Sequence, residues 1–395
     1  MTDPSTHLIH HPYKPPAGFD AIPPGVYKAS TIAFPTVHAL RNRDWKHKTG
    51  YTYGLHGTPT TFTLEERIAT LEGGKHCTLV PSGLAAVVLV DMAFLKAGDE
   101  LLIPDNAYGP NKAFATNELK GWGVSFQYYD PMNPADLAAK LSPQTRLVWL
   151  EAPGSITMEF PDMLALVAAV KTHNASAQAH PQGTVTALDN TWGAGIAFNA
   201  FALGADVSIQ ALTKYPSGGA DVLMGSVVTQ DEALHHLIHF CHMRVGYGVS
   251  GNDAEFVLRG LNSIHMRYSA QDVATRALAV WMQSQPQVAA VLHPALPGSP
   301  GHVFWQRDCT AAACLFSAVF KPELSQAQVD QFCNSLQLFK LGYSWAGPMS
   351  LCAPYDVPSI RTTAWPHKGG LVRFSVGFEA VADLQADLQQ ALQQM

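Results

Sequence analysis

Residues 205–226 read ADVSIQALTKYPSGGADVLMGS. The stretch opens with small and β-branched residues in strand-like alternation, reaches Thr213 and Lys214, and then dissolves into Ser217, Gly218 and Gly219. It predicts a buried strand ending on a lysine, followed by a flexible turn. An ammonium buried there without a partner is costly, so the amine shifts toward the neutral form that attacks carbonyls. An isolated lysine at a strand end more often snorkels to solvent. The rest of the chain decides between the two readings.

Working back toward the N-terminus, short apolar runs alternate with helical patterns. HCTLV (76–80) is a strand that meets Pro81, Ser82 and Gly83, and an apolar helix follows from Leu84 to about Leu95. DELLIP, VSFQYYD, RLVWLEAP and TVTALDN are further strands, separated by helices at 108–120, 134–141 and 163–171. A helix is expected at 61–71, with Thr63 and Glu66 as its capping box. Strands separated by single helices imply right-handed crossovers and a mostly parallel sheet with helices on both faces. In such sheets ligands collect at the carboxyl ends of the strands. Glu151, Asp189 and Lys214 all fall at such ends, so they are expected to share one crevice. From about Gly260 the pattern changes to a long amphipathic helix, the strands CLFSAVF and LVRFSVG, and a closing helix, which predicts a smaller α+β domain. The expected organisation is an extended arm over 1–57 contacting a neighbouring subunit, a large α/β domain over 58–260 and a small domain over 261–395.

Charged residues make up only 14% of the chain, against about 25% for an average globular protein, so subunit contacts are expected to cover some of the surface. A net charge of −6 without a basic run argues against nucleic acid as a partner. No apolar run is long enough to span a membrane, and the polar N-terminus does not look like a signal peptide. The six cysteines show no CxxC or finger spacing and read as reduced thiols, which suggests a cytoplasmic protein. His235, His236 and His239 have helical spacing, but no HExxH completes them, and no metal is expected.

Asp189 ends an apolar strand, where a carboxylate needs a cationic partner or several hydrogen bonds. The protonated ring nitrogen of pyridoxal phosphate would supply that cation while Lys214 held the aldehyde. The phosphate would sit on the free backbone amides of the Ser82–Gly83–Leu84 turn, and Tyr108 would stack on the ring. Each assignment is weak alone; together, at the carboxyl ends of one sheet, they form a pattern that accident rarely yields.

The chain resembles the Cys/Met-metabolism family of pyridoxal-phosphate enzymes of fold type I, over nearly its whole length. The motifs are LEGG (71–74), EAPGSITMEF (151–160), ALDNTWGAG (187–195), DVSIQALTKY (206–215), HPALPGS (293–299) and GYSWAG (342–347). PGSITME and YSWAG are similar to the cystathionine β-lyase branch. The resemblance implies a homo-oligomer, a dimer with shared active sites and usually a tetramer. It implies pyridoxal 5′-phosphate bound to Lys214, with Asp189 at the ring nitrogen, Tyr108 on the ring, and Ser82, Gly83, Leu84 and Thr213 around the phosphate. It implies Arg373 as the clamp on the substrate carboxylate, with Ser344 and the Pro153–Gly154 position beside it and Tyr343 and Trp345 along the distal side. Lys214 and Tyr108 are the implied proton carriers. The implied reaction is α,β-elimination of L-cystathionine to homocysteine, pyruvate and ammonia. Related carbon–sulfur chemistry on the same site (cysteine-conjugate β-cleavage, γ-cleavage or γ-replacement) and side racemisation of alanine are the alternatives.

One departure stands out. Relatives read Tyr-x-Arg in the arm, both reaching the neighbour's phosphate; here Tyr53 is followed by Leu55 and then His56. Losing a charge-assisted contact costs about 1.5–3 kcal/mol unless another group replaces it. Either His56, placed at the edge of the cofactor and substrate site, or another cation is expected to take over part of that task, or cofactor binding is expected to be weaker.

Overall fold

The computed structural model describes residues 4–48 and 50–395. Two sheets organise the chain. The larger holds β1 (His76–Val80), β2 (Glu100–Pro104), β3 (Ser125–Tyr129), β4 (Thr145–Glu151), β5 (Val185–Asp189), β6 (Val207–Ala211) and β7 (Gly225–Thr229). Their spatial order is β1-β7-β6-β5-β4-β2-β3. The pairs from β3 through β6 are parallel, whereas β7 runs antiparallel to both β1 and β6. All seven residues of β4 are buried, which is what a strand covered on both faces requires. In β5 and β6 the first four residues are buried and only the last opens to a crevice. The local sequence has therefore put its polar chemistry where the sheet stops being core.

The smaller sheet holds β8 (Val288–Leu292), β9 (Leu315–Phe320), β10 (Lys340–Leu341), β11 (Leu351–Tyr355) and β12 (Leu371–Ser375), in the order β10-β11-β12-β9-β8. It is antiparallel except where β10 meets β11. The helices Ile264–Gln283 and Val381–Leu392 cover it, and Phe316, Phe320, Phe332, Phe339 and Phe374 fill the space beneath. Among the described residues, no helix is long and apolar enough to cross a membrane.

Several expectations are corrected. The helix expected from Thr61 spans Pro59–Glu72, and its capping box is made by Thr58 and Thr61. Thr63 lies within the first turns, its hydroxyl donating to the Pro59 carbonyl. Pro59 at the first helical position explains the earlier start, since its fixed φ suits a helix and its missing N–H has no role there. The strand before Lys214 ends at Ala211, which leaves Leu212, Thr213 and Lys214 in the following turn. No helix separates β5 from β6. β7, β8, β10 and β11 do not stand out in the sequence because runs this short carry little periodicity. β7 decides most, because its antiparallel return lays Gly225 across from Ala211 and Val80.

The arm runs along this body. Leu8, on the short helix Pro4–Ile9, is buried, and the Tyr27 amide donates to Thr60 Oγ1 at 2.7 Å. Residues 53–56 are fixed by a bridge between Thr31 and Tyr53 and by the Gly54 amide donating to the Ser30 carbonyl.

Candidate active site

Lys214 sits in a turn closed by its own amide, which donates to the Ala211 carbonyl, and by the Gly218 amide, which donates to the Lys214 carbonyl. Its Nζ donates to Ser344 Oγ at 2.8 Å and lies 5.5 Å from the centre of the Trp345 ring. Burial, with Arg373 nearby as a second cause, pulls its pKa from 10.5 down to about 8. The awkward lysine of the sequence is thus a half-desolvated amine against an indole face, among residues from both sheets.

Two carboxylates share the floor. Parallel pairing of β4 and β5 sets Glu151 beside Asp189 in register. Glu151 accepts from the Tyr108 amide at 2.7 Å and from the Ser155 amide at 3.3 Å. Asp189 accepts from the Thr191 amide at 3.0 Å. Burial first and mutual repulsion second push the Glu151 carboxyl up to about 8, and burial raises that of Asp189. Two like-charged acids side by side hold a proton between them or await a cation. Tyr108 is displayed above them, 41% exposed, its phenol held protonated by burial and by both carboxylates.

At the far side of the turn, Ser82 caps the helix Gly83–Phe94 by accepting from the Ala85 amide at 3.0 Å. The amides of Gly83 and Leu84, in the first turn, have no carbonyl partner within that helix. A Cβ on Gly83 would approach the Ala211 Cβ to 2.5 Å, so only glycine brings the helix this close to the lysine turn. Thr213 Oγ1 is taken up locally, accepting from the Met224 amide at 3.1 Å and lying 3.3 Å from the Met224 carbonyl. It anchors the lysine turn to the segment that leads into β7.

Arg373, in β12, is buried. It donates to the Ser155 carbonyl at 3.1 Å and to the Tyr343 carbonyl at 2.7 Å, with Tyr355 against its guanidinium. Burial lowers its pKa, yet the guanidinium stays charged. Five N–H donors less these two contacts leave three for a ligand. Ser344 and Trp345 converge on Lys214, while the Tyr343 side chain is 76% exposed. The Ser155 carbonyl that Arg373 contacts directly follows Pro153–Gly154 in the chain.

Tyr53 and His56 are not part of this cluster within one chain. Tyr53 packs on His56, and His56 Nδ1 lies 2.8 Å from Thr52 Oγ1 beside Trp45. Burial and the nearby Arg43 lower the His56 pKa, favouring a neutral hydrogen-bonding imidazole over a cation.

Two groups were missed from the sequence. Glu72 is wholly buried beneath Asp189, held by Ser208 Oγ and by Asn190 Nδ2, and burial raises its pKa to about 7. Its signal was the LEGG motif, which carried no chemical reading. Asp105 accepts from the amides of Thr362 and Thr363, tying a C-terminal segment down next to Tyr108.

The residues fit pyridoxal phosphate. Among the described residues, the paired acid floor has no ion-pair contact, amides without helix partners stand at a glycine-only approach, and a depressed lysine lies between them. The family profile described as Cys/Met metabolism PLP-dependent enzyme matches residues 5–393. The chain belongs to this family. It is a pyridoxal-phosphate-dependent enzyme, and Lys214, Asp189 and the Ser82–Leu84 turn are the groups suited to hold that cofactor. The chain is 38% identical to cystathionine beta-lyase of Escherichia coli, over 92% of this chain and 91% of that one. It is 37% identical to cystathionine beta-lyase of Bordetella avium, over 98% and 96% of the two chains. The crystal structure of metB from Corynebacterium glutamicum superposes with a TM-score of 0.88 at 27% identity, covering 99% of this chain and 98% of that one. That structure accounts for the mostly parallel sheet and the smaller C-terminal sheet together.

Proposed function

We propose that this enzyme is a carbon–sulfur lyase acting as a cystathionine β-lyase, which cleaves L-cystathionine with water to homocysteine, pyruvate and ammonia. The observation that carries the reading is the pairing of a depressed Lys214 with a buried, donor-rich Arg373 across one crevice. The likeness to two cystathionine beta-lyases supports the choice of a sulfur substrate. When bound, the cofactor supplies an electron sink for the charge left on Cα after proton removal.

The chain's own residues do the rest. Arg373 takes the α-carboxylate with its remaining N–H groups and so fixes the Cα–H direction. Lys214, at about 8, is neutral roughly one time in ten at pH 7, some 300-fold more often than a lysine at its ordinary 10.5. That neutral amine is the base for the Cα proton. Ser344 accepts a hydrogen bond from Nζ and holds it in place. Tyr108, kept protonated by its carboxylate neighbours, donates a proton rather than accepting one, which suits it to the departing sulfur. Tyr343 and Trp345 line the distal arm of the substrate. Tyr53 and His56 act on the site of a second copy in a homo-oligomer. Exposed apolar residues on the arm, among them Phe19, Ile22 and Val37, support that contact.

The test is product analysis on the purified holoenzyme with L-cystathionine. Pyruvate with homocysteine supports the reading; 2-oxobutyrate with cysteine, or no cleavage, overturns it.

A further inference from the structure

Away from the active site, the arm meets the helix Glu232–Val245. There His47, Glu232 and His236 bring one donor atom each to within 4.8 Å of one another. Glu232 and His236 stand one helical turn apart on the same face, and His47 reaches them from the arm. The His47 and His236 rings meet edge to face, with centroids 5.5 Å apart.

The orientation of His47 is an independent observation. Its Nδ1 lies 3.0 Å from Asp44 Oδ2, a carboxylate that also accepts the Lys46 amide through Oδ1 at 2.9 Å. A carboxylate on one imidazole nitrogen fixes the tautomer and turns the other nitrogen outward as a stronger donor, the arrangement that surrounds metal-bound histidines. Three lysines, Lys46, Lys48 and Lys75, line the same hollow as His47, Glu232 and His236. Lys48 is ion-paired with Glu65 and donates to the Cys77 carbonyl, and Lys46 lies over the Trp45 ring. Among the described residues, Glu232 has no salt-bridge partner.

We infer that His47, Glu232 and His236 form a site for a first-row divalent transition metal of the zinc type, which clasps the arm to the body of the enzyme. Two imidazoles and one carboxylate are a borderline donor set, suited to zinc and unsuited to magnesium or calcium, which take oxygen ligands. Zinc bonds of about 2.0–2.2 Å place tetrahedral donors roughly 3.4 Å apart, so the set must close by about an ångström or a little more. His47 and Glu232 are exposed, which leaves them free to make that movement. A fourth position remains for water. The clasp would fix the segment that leads directly to Tyr53 and His56.

The test uses the full-length holoenzyme without an affinity tag, treated with a chelator and dialysed, then titrated with zinc chloride by calorimetry. One zinc per chain is expected. His47→Ala and His236→Ala should each weaken it at least tenfold, and Glu232→Gln, the mildest change, should weaken it measurably. The N-terminal histidines are a rival source of binding, so a variant with His7, His10 and His11 all changed to alanine should keep the site. X-ray absorption should show two imidazoles in the zinc shell. Zinc should also slow tryptic cleavage of the arm in the wild type and not in His47→Ala. Absent uptake by the wild type, uptake unchanged in all three site variants, or uptake lost with the N-terminal histidines would each overturn the assignment.

Discussion

Arg373 offers the sharpest trial of the active-site argument, through the change to glutamine. In place, the guanidinium spends two donors on the Ser155 and Tyr343 carbonyls and keeps three. Glutamine has two amide N–H donors in all, so it can hold those carbonyls but has none left for a carboxylate, and it carries no charge. A charge-assisted hydrogen bond is worth about 1.5–3 kcal/mol, so losing a bidentate pair costs roughly 3 kcal/mol or more. At 1.36 kcal/mol per decade, kcat/KM for L-cystathionine should fall about 150-fold or further. The assay is steady-state release of the homocysteine thiol, run beside the amine analogue that lacks the α-carboxylate on the cleaved arm and so releases the same thiol. Wild type should prefer the amino acid strongly, and Arg373→Gln should lose most of that preference. The variant should also raise the Lys214 pKa, because a second cause of its depression has gone while burial remains. A kcat/KM within threefold of wild type, or an undiminished preference for the carboxylate, would refute the clamp.

Four further outcomes follow from particular contacts. Lys214→Ala should keep its melting temperature within a few degrees and lose both turnover and the visible absorption of the lysine-bound cofactor; an active alanine variant would sink the assignment. Because Lys214, once substrate has released it from the cofactor, must be neutral to act as base and its amine pKa lies at about 8, kcat should rise with pH through that region, whereas a flat kcat profile from 6 to 9 would show another group at work. Gly83→Ala, with its methyl 2.5 Å from Ala211 Cβ, should weaken cofactor affinity and lower stability by about 1–3 kcal/mol, read by cofactor titration and thermal melting. Asp91 is wholly buried, receives the Trp149 indole N–H at 2.8 Å, and has its pKa raised to about 8 by burial. The native state therefore holds a proton that the unfolded state has released between about pH 4 and pH 8, and stability falls as pH rises through that window. Asp91→Asn keeps the acceptor and removes the titration, so its stability gain should be larger at pH 8 than at pH 5, by more than about 1 kcal/mol in denaturant melts.

The same physics separates what was readable in the chain from what was not. Lys214, Asp189 and Glu151 were legible because each ends an apolar run, and a charged residue at such a place stands out against a two-residue period. The helix start was legible to within one residue, expected at Leu84 and found at Gly83, for a similar reason: a serine and a glycine between a strand and an apolar helix mark a cap. The cap at Thr58 was misplaced because several threonines in a row offer competing hydroxyls, and only the folded backbone selects one. β7, β8, β10 and β11 were missed because such short runs, two residues in β10 and five in the others, fit several structures.

The sequence by itself determined which chemistry this chain carries, since residue types and their places along each element are local properties. Tertiary structure decided how that chemistry works. The register of β4 against β5 turned two separate acids into a coupled pair, and the antiparallel return of β7 packed the lysine turn against the glycine at the helix start. Desolvation, which pulls Lys214 down to about 8, depends on walls from both sheets. Arg373 and Ser155, like His47 and His236, meet only because the chain is folded. Distances between residues far apart in sequence, and the loss of water around them, are properties of the packed molecule and have no local signature.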